Sequence, residues 1–112
     1  MKTSSCKAKG RTLCSEIKEL LYKYAPDLQP GDIEVTSSGC TGVDLKLSPA
    51  AKALYPFAIE CKNQEAINIW KSLEQAESHK KYGFEVPILF FRRNRTKPYV
   101  ALDADLFLKL VR

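Results

Sequence analysis

The sequence is poor in histidine, tryptophan and methionine, and it lacks the long apolar runs and repeats that mark membrane and repeat proteins. It contains one histidine, one tryptophan and one methionine in 112 residues. It has no apolar run near the roughly 20 residues of a membrane span, and no repeat or low-complexity segment. The basic N-terminus is not followed by the apolar core of a secretory signal. We therefore expect a soluble, cytoplasmic protein with no membrane partner and a single domain over residues 1–112.

The spacing of the cysteines argues against a structural zinc site. The four cysteines stand at positions 6, 14, 40 and 61, so they form no CxxC pair, and the lone His79 has no second imidazole to join it. Structural zinc sites usually show closely spaced Cys and His ligands. The expectation is buried or idle thiols in a reducing cytoplasm.

The positive charge is unevenly distributed along the chain. The net charge is +5 and the pI is about 9.1. Residues 1–23 hold six basic and two acidic side chains and residues 79–98 hold six and one, whereas residues 24–78 hold four and eight. Basic flanks suit a polyanion, because each Lys or Arg that neutralises a phosphate releases counterions. The alternative is a solvated surface that keeps the protein in solution.

Hydrophobic patterning predicts a mixed sheet covered by helices, in the order α-β-β-β-α-β-β-α. The first helix is marked by an apolar stripe at i, i+4, i+7, i+8 and i+11, formed by Leu13, Ile17, Leu20, Leu21 and Tyr24, and period-two alternation marks the strands. Helices are predicted at about 12–24, 65–82 and 104–111, and strands at about 33–36, 43–48, 57–62, 86–91 and 99–102. The strand at 86–91 is almost continuously apolar, which indicates burial on both faces. Residues 1–11 are expected to form a basic arm, and the segment 49–56 a connection.

The middle strands carry three charged residues. Glu60 and Lys62 share one face of their strand because side chains alternate, and Asp44 interrupts the apolar pattern of the preceding strand. If these strands are neighbours, Asp44 lies beside both. Close carboxylates repel unless a cation joins them, and oxygen ligands favour Mg²⁺ or Mn²⁺. Lys62 could then orient a water or hold a phosphate, which is metal-assisted phosphodiester hydrolysis. Simple cross-strand ion pairing, about 0.2–1 kcal/mol per pair, is the alternative.

These residues resemble a nuclease motif. Fifteen residues separate Asp44 in the string Gly42–Leu45 from Glu60 in the string Ile59–Lys62, a pattern similar to the PD-(D/E)xK motif of archaeal-type Holliday junction resolvases and small phage endonucleases. The sequence departs from the motif's name in having Val43 where the name has proline.

Two further segments extend the resemblance over nearly the whole chain. Lys9-Gly10-Arg11 followed by Glu16 resembles the family's opening KG…E signature. Gln75 stands where many members place a glutamine. Four elements in the right order are more specific than any one of them.

The resemblance implies a restriction-endonuclease-like fold and a magnesium-dependent endonuclease site. Asp44 and Glu60 would hold Mg²⁺, or Mn²⁺ as a substitute, together with the backbone carbonyl of Cys61, and Lys62 would position the water and the scissile phosphate. Glu16 would complete the site by ligating or orienting the metal, with Glu19 as a competing candidate on the far side of the helix stripe. Gln75 would approach the site from the second helix, whose predicted buried side holds Ala66, Ile69, Trp70 and Leu73.

The expected partner is branched or duplex DNA, held through its phosphates and cut structure-selectively. A domain of this size would cut both strands of a junction as a homodimer, and the apolar stripe of the closing helix is a candidate interface. The rival is a non-catalytic nucleic-acid-binding module on a similar scaffold. The candidate DNA contacts are Lys7, Lys9, Arg11, Ser38, Lys71, Arg92, Arg93 and Arg95.

Overall fold

The computed structural model describes residues 2–36, 43–78 and 86–112, with side chains from residue 11 onward. The fold is mixed α/β, which confirms the predicted class. The helices are α1 (Lys2–Lys23), α2 (Pro49–Leu54), α3 (Ile69–Glu77) and α4 (Ala104–Leu110). The strands are β1 (Ile33–Val35), β2 (Leu45–Leu47), β3 (Phe57–Asn63), β4 (Val86–Arg92) and β5 (Tyr99–Ala101). No helix in these ranges combines the length and hydropathy that crossing a bilayer requires.

The strands form two small sheets rather than one. β1 and β2 pair antiparallel, while β4 pairs parallel with β3 and antiparallel with β5. The backbone N–H of Asp44, just before β2, donates to the carbonyl of Ile59 in β3 at 2.8 Å. This hydrogen bond joins the edge of the first sheet to the second.

The core lies between α1 and the strands. Leu13 and Ile17, one turn apart on α1, are fully buried against Ile33, Leu45 and Ile59. Burial of a side chain of this size removes enough apolar surface to stabilise the fold by about 1.5–3 kcal/mol. The predicted stripe of the first helix is therefore confirmed from Leu13 to Leu21, but Tyr24 at its end is exposed.

Helix α1 begins at Lys2, so the backbone of residues 2–10 is helical and is not an arm that precedes the helix, as the sequence predicted. The prediction used the apolar stripe, which marks the part of a helix that packs against a core. A helix continues beyond its packed part where no proline interrupts it, and residues 2–23 contain none.

Helix α2 replaces the predicted connection between β2 and β3. Its N-cap, Ser48, accepts a hydrogen bond from the Ala51 N–H at 3.1 Å, and Pro49 occupies the first turn, where its missing N–H costs nothing. Ala51 is fully buried in the core. Six residues are too few to show a helical period, so the cap was the available signal.

Helix α3 starts later than predicted and only part of its predicted buried side is buried. It starts after the N-cap Asn68, whose side chain accepts from the Lys71 N–H at 3.0 Å. Its buried residues are Ser72 and Ala76, whereas Trp70, predicted to be buried, is 80% exposed. Of the predicted buried side, Ile69 and Leu73 are half-buried, and the small side chains of Ser72 and Ala76 let α3 lie close to β3 and β4. Ala66 is exposed ahead of the helix, and residues 79–82 of the predicted helix lie outside the described residues.

The predicted burial of the fourth strand on both faces is confirmed in its first half. The consecutive residues Pro87, Ile88 and Leu89 of β4 are all buried. Because side chains alternate along a strand, Ile88 points to one face of the sheet and Leu89 to the other. Ile88 belongs to the core that packs against α1. The remaining residues, Phe90 to Arg92, are half-buried.

Candidate active site

Asp44 is fixed against the middle of β3 by two hydrogen bonds. Its N–H donates to the Ile59 carbonyl, and its carboxylate Oδ2 accepts the backbone N–H of Cys61 at 2.7 Å. The residue lies in the bend before β2, which starts at Leu45 and not at the predicted position 43. Its side chain therefore takes a place that a backbone carbonyl would fill in a continuous ladder. The structure thus brings Asp44 to the segment that carries Glu60 and Lys62.

Glu60 and Lys62 share a face of β3, as strand alternation predicts. Glu60 is only 3% exposed, and its Oε2 lies 3.8 Å from the Nζ of Lys62. At that separation the contact is an ion pair and not a direct hydrogen bond. In the parallel register Glu60 lies opposite Leu89, and Lys62 lies opposite Phe91. A carboxylate buried among apolar residues is costly unless cations or hydrogen bonds compensate its charge.

Cys61 points to the opposite face of β3, toward α1. Its Sγ, the Sγ of Cys14 and a carboxylate oxygen of Asp44 lie within 4.8 Å of one another. A hydrogen bond with Cys14, burial and the nearby carboxylates of Asp44 and Glu60 raise the pKa of the Cys61 thiol far above its ordinary range. The thiol is therefore protonated at neutral pH. Both cysteines are buried and reduced, as the sequence predicted.

Glu16 forms an ion pair with an arginine. Its Oε1 lies 2.6 Å from Nη1 of Arg92, and the two side chains are 38% and 20% exposed. Arg92 was predicted to follow the strand at 86–91 and to contact DNA, but it is the last residue of β4 and half-buried. The parallel pairing carries β4 to Arg92, opposite Asn63, and brings that arginine to α1. Glu19, the competing candidate, is exposed.

The remaining candidates are Gln75 and the predicted DNA contacts. Each is either exposed or outside the described residues. Gln75 is exposed on α3, whose buried residues are its neighbours Ser72 and Ala76. Ser38, His79 and the side chains of Lys7 and Lys9 lie outside the described residues. Exposed side chains are found at Arg11, Lys71, Arg93 and Arg95.

A groove lies where the carboxyl ends of β3 and β4 meet the following loops. Its volume is about 350 Å³, and Phe91, Arg92, Arg93 and Tyr99 contribute to its lining. The rings of Phe91 and Tyr99 are 6.3 Å apart. Sequence reasoning missed this groove, although crevices at the carboxyl ends of parallel strands are common ligand sites.

The groove adjoins the charged face of β3. Phe91 is the register partner of Lys62, so one wall of the groove continues into the Glu60–Lys62 face. Lys97 adds a further positive charge, with its Nζ 5.8 Å from the centre of the Tyr99 ring. Aromatic faces beside basic groups can stack bases and hold phosphates.

Comparison with known protein families, with curated protein sequences and with solved structures gives no significant match. The resemblance to PD-(D/E)xK nucleases therefore rests on the motif residues of the sequence.

Proposed function

We propose that the protein is a metal-dependent endonuclease that hydrolyses DNA phosphodiester bonds on a restriction-endonuclease-like scaffold. The observation that carries the proposal is the hydrogen bond from the Cys61 N–H to the Asp44 carboxylate. It holds the aspartate of the motif against the strand segment that bears the glutamate and the lysine. Asp44 lies in the bend before β2, whereas Glu60 and Lys62 both lie on β3, and a PD-(D/E)xK site requires all three together.

The oxygen donors around this segment fit a hard divalent ion. The Asp44 and Glu60 carboxylates and the Cys61 carbonyl would hold Mg²⁺, with Mn²⁺ as a substitute, because such ions take oxygen ligands. The buried Glu60 supports this fit, since a cation offsets the cost of a carboxylate at 3% exposure. A bound ion would supply Lewis-acid activation of water and of the phosphate.

Lys62 is the residue placed to act on the substrate. Its Nζ lies 3.8 Å from Oε2 of the buried Glu60, and its own side chain is 24% exposed. An ammonium group there can bind a phosphate oxygen and hold a water by hydrogen bonding. Glu16, paired with Arg92, would position that arginine at the edge of the groove and would not ligate the metal while the pair is intact.

The groove supports a nucleic-acid substrate that is recognised by shape. Arg92 and Arg93 can contact phosphates, and Phe91 and Tyr99 can stack on unpaired bases. Such contacts read no sequence, so branched or partly single-stranded DNA fits better than a specific duplex site. Two copies would be needed to cut a four-way junction symmetrically. The proposed dimer surface is formed by the exposed apolar residues Phe107, Leu108 and Leu110 of α4 and by Val111 just after it.

A non-catalytic nucleic-acid-binding module is the second candidate. The two ion pairs, Glu16–Arg92 and Glu60–Lys62, favour it because both acidic side chains already have cationic partners. In such a module the groove would bind DNA or RNA, and the charged residues of β3 would have only structural roles.

A nuclease assay separates the two candidates. Labelled four-way junction, linear duplex and single strand are incubated with the protein in Mg²⁺, Mn²⁺ or EDTA. The nuclease proposal predicts metal-dependent cutting that Lys62→Ala abolishes and Lys46→Ala retains, since Lys46 is an exposed lysine on the neighbouring β2. Binding without cutting in either metal would overturn the nuclease proposal and favour the binding module.

A further inference from the structure

We propose that Cys14, Cys61 and Asp44 form a binding site for one thiophilic divalent ion, with Zn²⁺ as the expected occupant. The site lies on the α1 face of β3, opposite the Glu60–Lys62 face. It goes beyond the proposed nuclease and does not depend on it, because an ion can bind here whether or not the chain cuts DNA.

The fold brings the three ligand atoms close to tetrahedral spacing. In a tetrahedral Zn²⁺ site with Zn–S bonds of about 2.3 Å, the two sulfurs are about 3.8 Å apart. Here the two Sγ atoms and the Asp44 oxygen all lie within 4.8 Å of one another. Closing the site therefore requires shifts of about 1 Å or less, which side-chain rotation of two cysteines and one aspartate can supply.

Three different elements position these ligands. Cys14 lies on the buried stripe of α1, at 6% exposure, and Cys61 lies at the centre of β3, at 7% exposure. The Asp44 carboxylate is oriented by the Cys61 N–H that it accepts. A hydrogen bond of this kind to a ligand fixes its direction and is the usual support of metal-binding side chains.

The donor atoms select the ion. Two sulfurs and one carboxylate oxygen suit a borderline-soft ion such as Zn²⁺, whereas Mg²⁺ takes oxygen ligands. When the ion binds, each thiol loses its proton to solvent and two S–Zn bonds form. The two thiolates, the carboxylate and the ion then have a net charge of −1. Three protein ligands leave a fourth position for a water.

Asp44 is shared between this site and the proposed nuclease site. The Asp44 carboxylate already lies within 4.8 Å of the two sulfurs, so an ion on the cysteine face would hold it there. We therefore expect Zn²⁺ to oppose any activity that needs Asp44 on the other side of β3. This consequence rests on the proposed function, but the binding itself does not.

The test measures metal binding directly on the full chain, reduced and freed of metal. Equilibrium dialysis with Zn²⁺, in about a hundredfold excess of Mg²⁺, is expected to show one bound ion per chain. Replacement by Co²⁺ is expected to give thiolate-to-cobalt charge-transfer absorption in the near ultraviolet. Cys14→Ser, Cys61→Ser and Asp44→Asn should each weaken binding more than about tenfold. The double variant Cys6→Ser/Cys40→Ser, which removes the same chemistry elsewhere in the chain, should retain it.

Several outcomes would overturn the proposal. They are the lack of a one-to-one ion in the unaltered protein, a cobalt complex without thiolate absorption, and binding that survives Cys14→Ser but is lost in Cys6→Ser/Cys40→Ser. Circular dichroism of each variant controls for folding, and the cobalt spectrum of the unaltered protein decides the matter if a cysteine variant does not fold. DNA cutting is recorded separately, so a chain that binds Zn²⁺ but never cuts supports this site and refutes the nuclease.

Discussion

Replacing Asp44 by alanine or by asparagine separates its structural role from its proposed metal-binding role. The carboxylate accepts the Cys61 N–H at 2.7 Å, and a hydrogen bond to a charged acceptor contributes about 1.5–3 kcal/mol. Asp44→Ala leaves that N–H without this acceptor, so we expect a loss of about 2 kcal/mol. In a domain of about 100 residues this lowers the Tm by about 8 °C.

Asp44→Asn keeps an oxygen that can accept the same N–H but loses the negative charge. A neutral hydrogen bond contributes about 0.5–1.5 kcal/mol, so the expected loss is about 1 kcal/mol, or about 4 °C in Tm. Both variants are expected to lose metal-dependent cutting by more than about a hundredfold, since each removes an anionic ligand.

The assay is thermal unfolding followed by circular dichroism in EDTA, with cutting of labelled DNA measured separately in Mg²⁺. Glu74→Ala, which removes an exposed carboxylate from α3, is the matched control and should leave both readouts unchanged. A Tm for Asp44→Ala equal to that of the unaltered protein would refute the structural argument. Full cutting by Asp44→Asn would refute the metal-ligand role while leaving the structural one intact.

Three further predictions follow from burial and hydrogen bonding. Ile59→Ala should destabilise the fold by about 2–5 kcal/mol in urea unfolding, because Ile59 is fully buried; a loss below about 1 kcal/mol would contradict its place in the core. Hydrogen bonds from Ser48 and from the Gln29 N–H lower the pKa of Asp32. Its stabilising effect is therefore complete above the ordinary pKa of about 4 and lost as pH falls through the lowered value, so Asp32→Asn should flatten the acid side of a Tm-versus-pH curve. Trp70→Ala should change stability by less than about 0.5 kcal/mol, given 80% exposure, yet weaken single-strand binding about tenfold, measured by fluorescence anisotropy, if the ring stacks on a base.

The proximity of Asp44 to the Glu60–Lys62 segment could be predicted from the sequence because it depends on local rules. Side-chain alternation fixes which residues of a strand share a face, and consecutive strands usually lie side by side, which places Asp44 near residue 61. Alternation also predicts that Cys61 faces away from its two neighbours.

What the sequence could not predict depends on contacts between distant elements. Trp70 is exposed because α3 approaches the sheet through the small residues Ser72 and Ala76, which leaves the tryptophan on the outer side of the helix. The meeting of Cys14 with Cys61 requires α1 to lie across β3, and no local spacing encodes it. The same reason explains why cysteine spacing argued against a metal site while the fold places two thiols and a carboxylate together.

The last helix has a consequence for how the molecule opens. α4 begins at a firm cap, where Asp103 accepts the Leu106 N–H at 3.1 Å, but none of its seven residues is buried. Amide hydrogens protected by so little packing exchange through local opening, whereas those of β3 require opening of the core. We therefore expect fast deuterium uptake in Ala104–Leu110 of the monomer and slow uptake in Phe57–Asn63. If two copies associate through α4, that uptake would slow with increasing protein concentration, so exchange kinetics would map the interface directly.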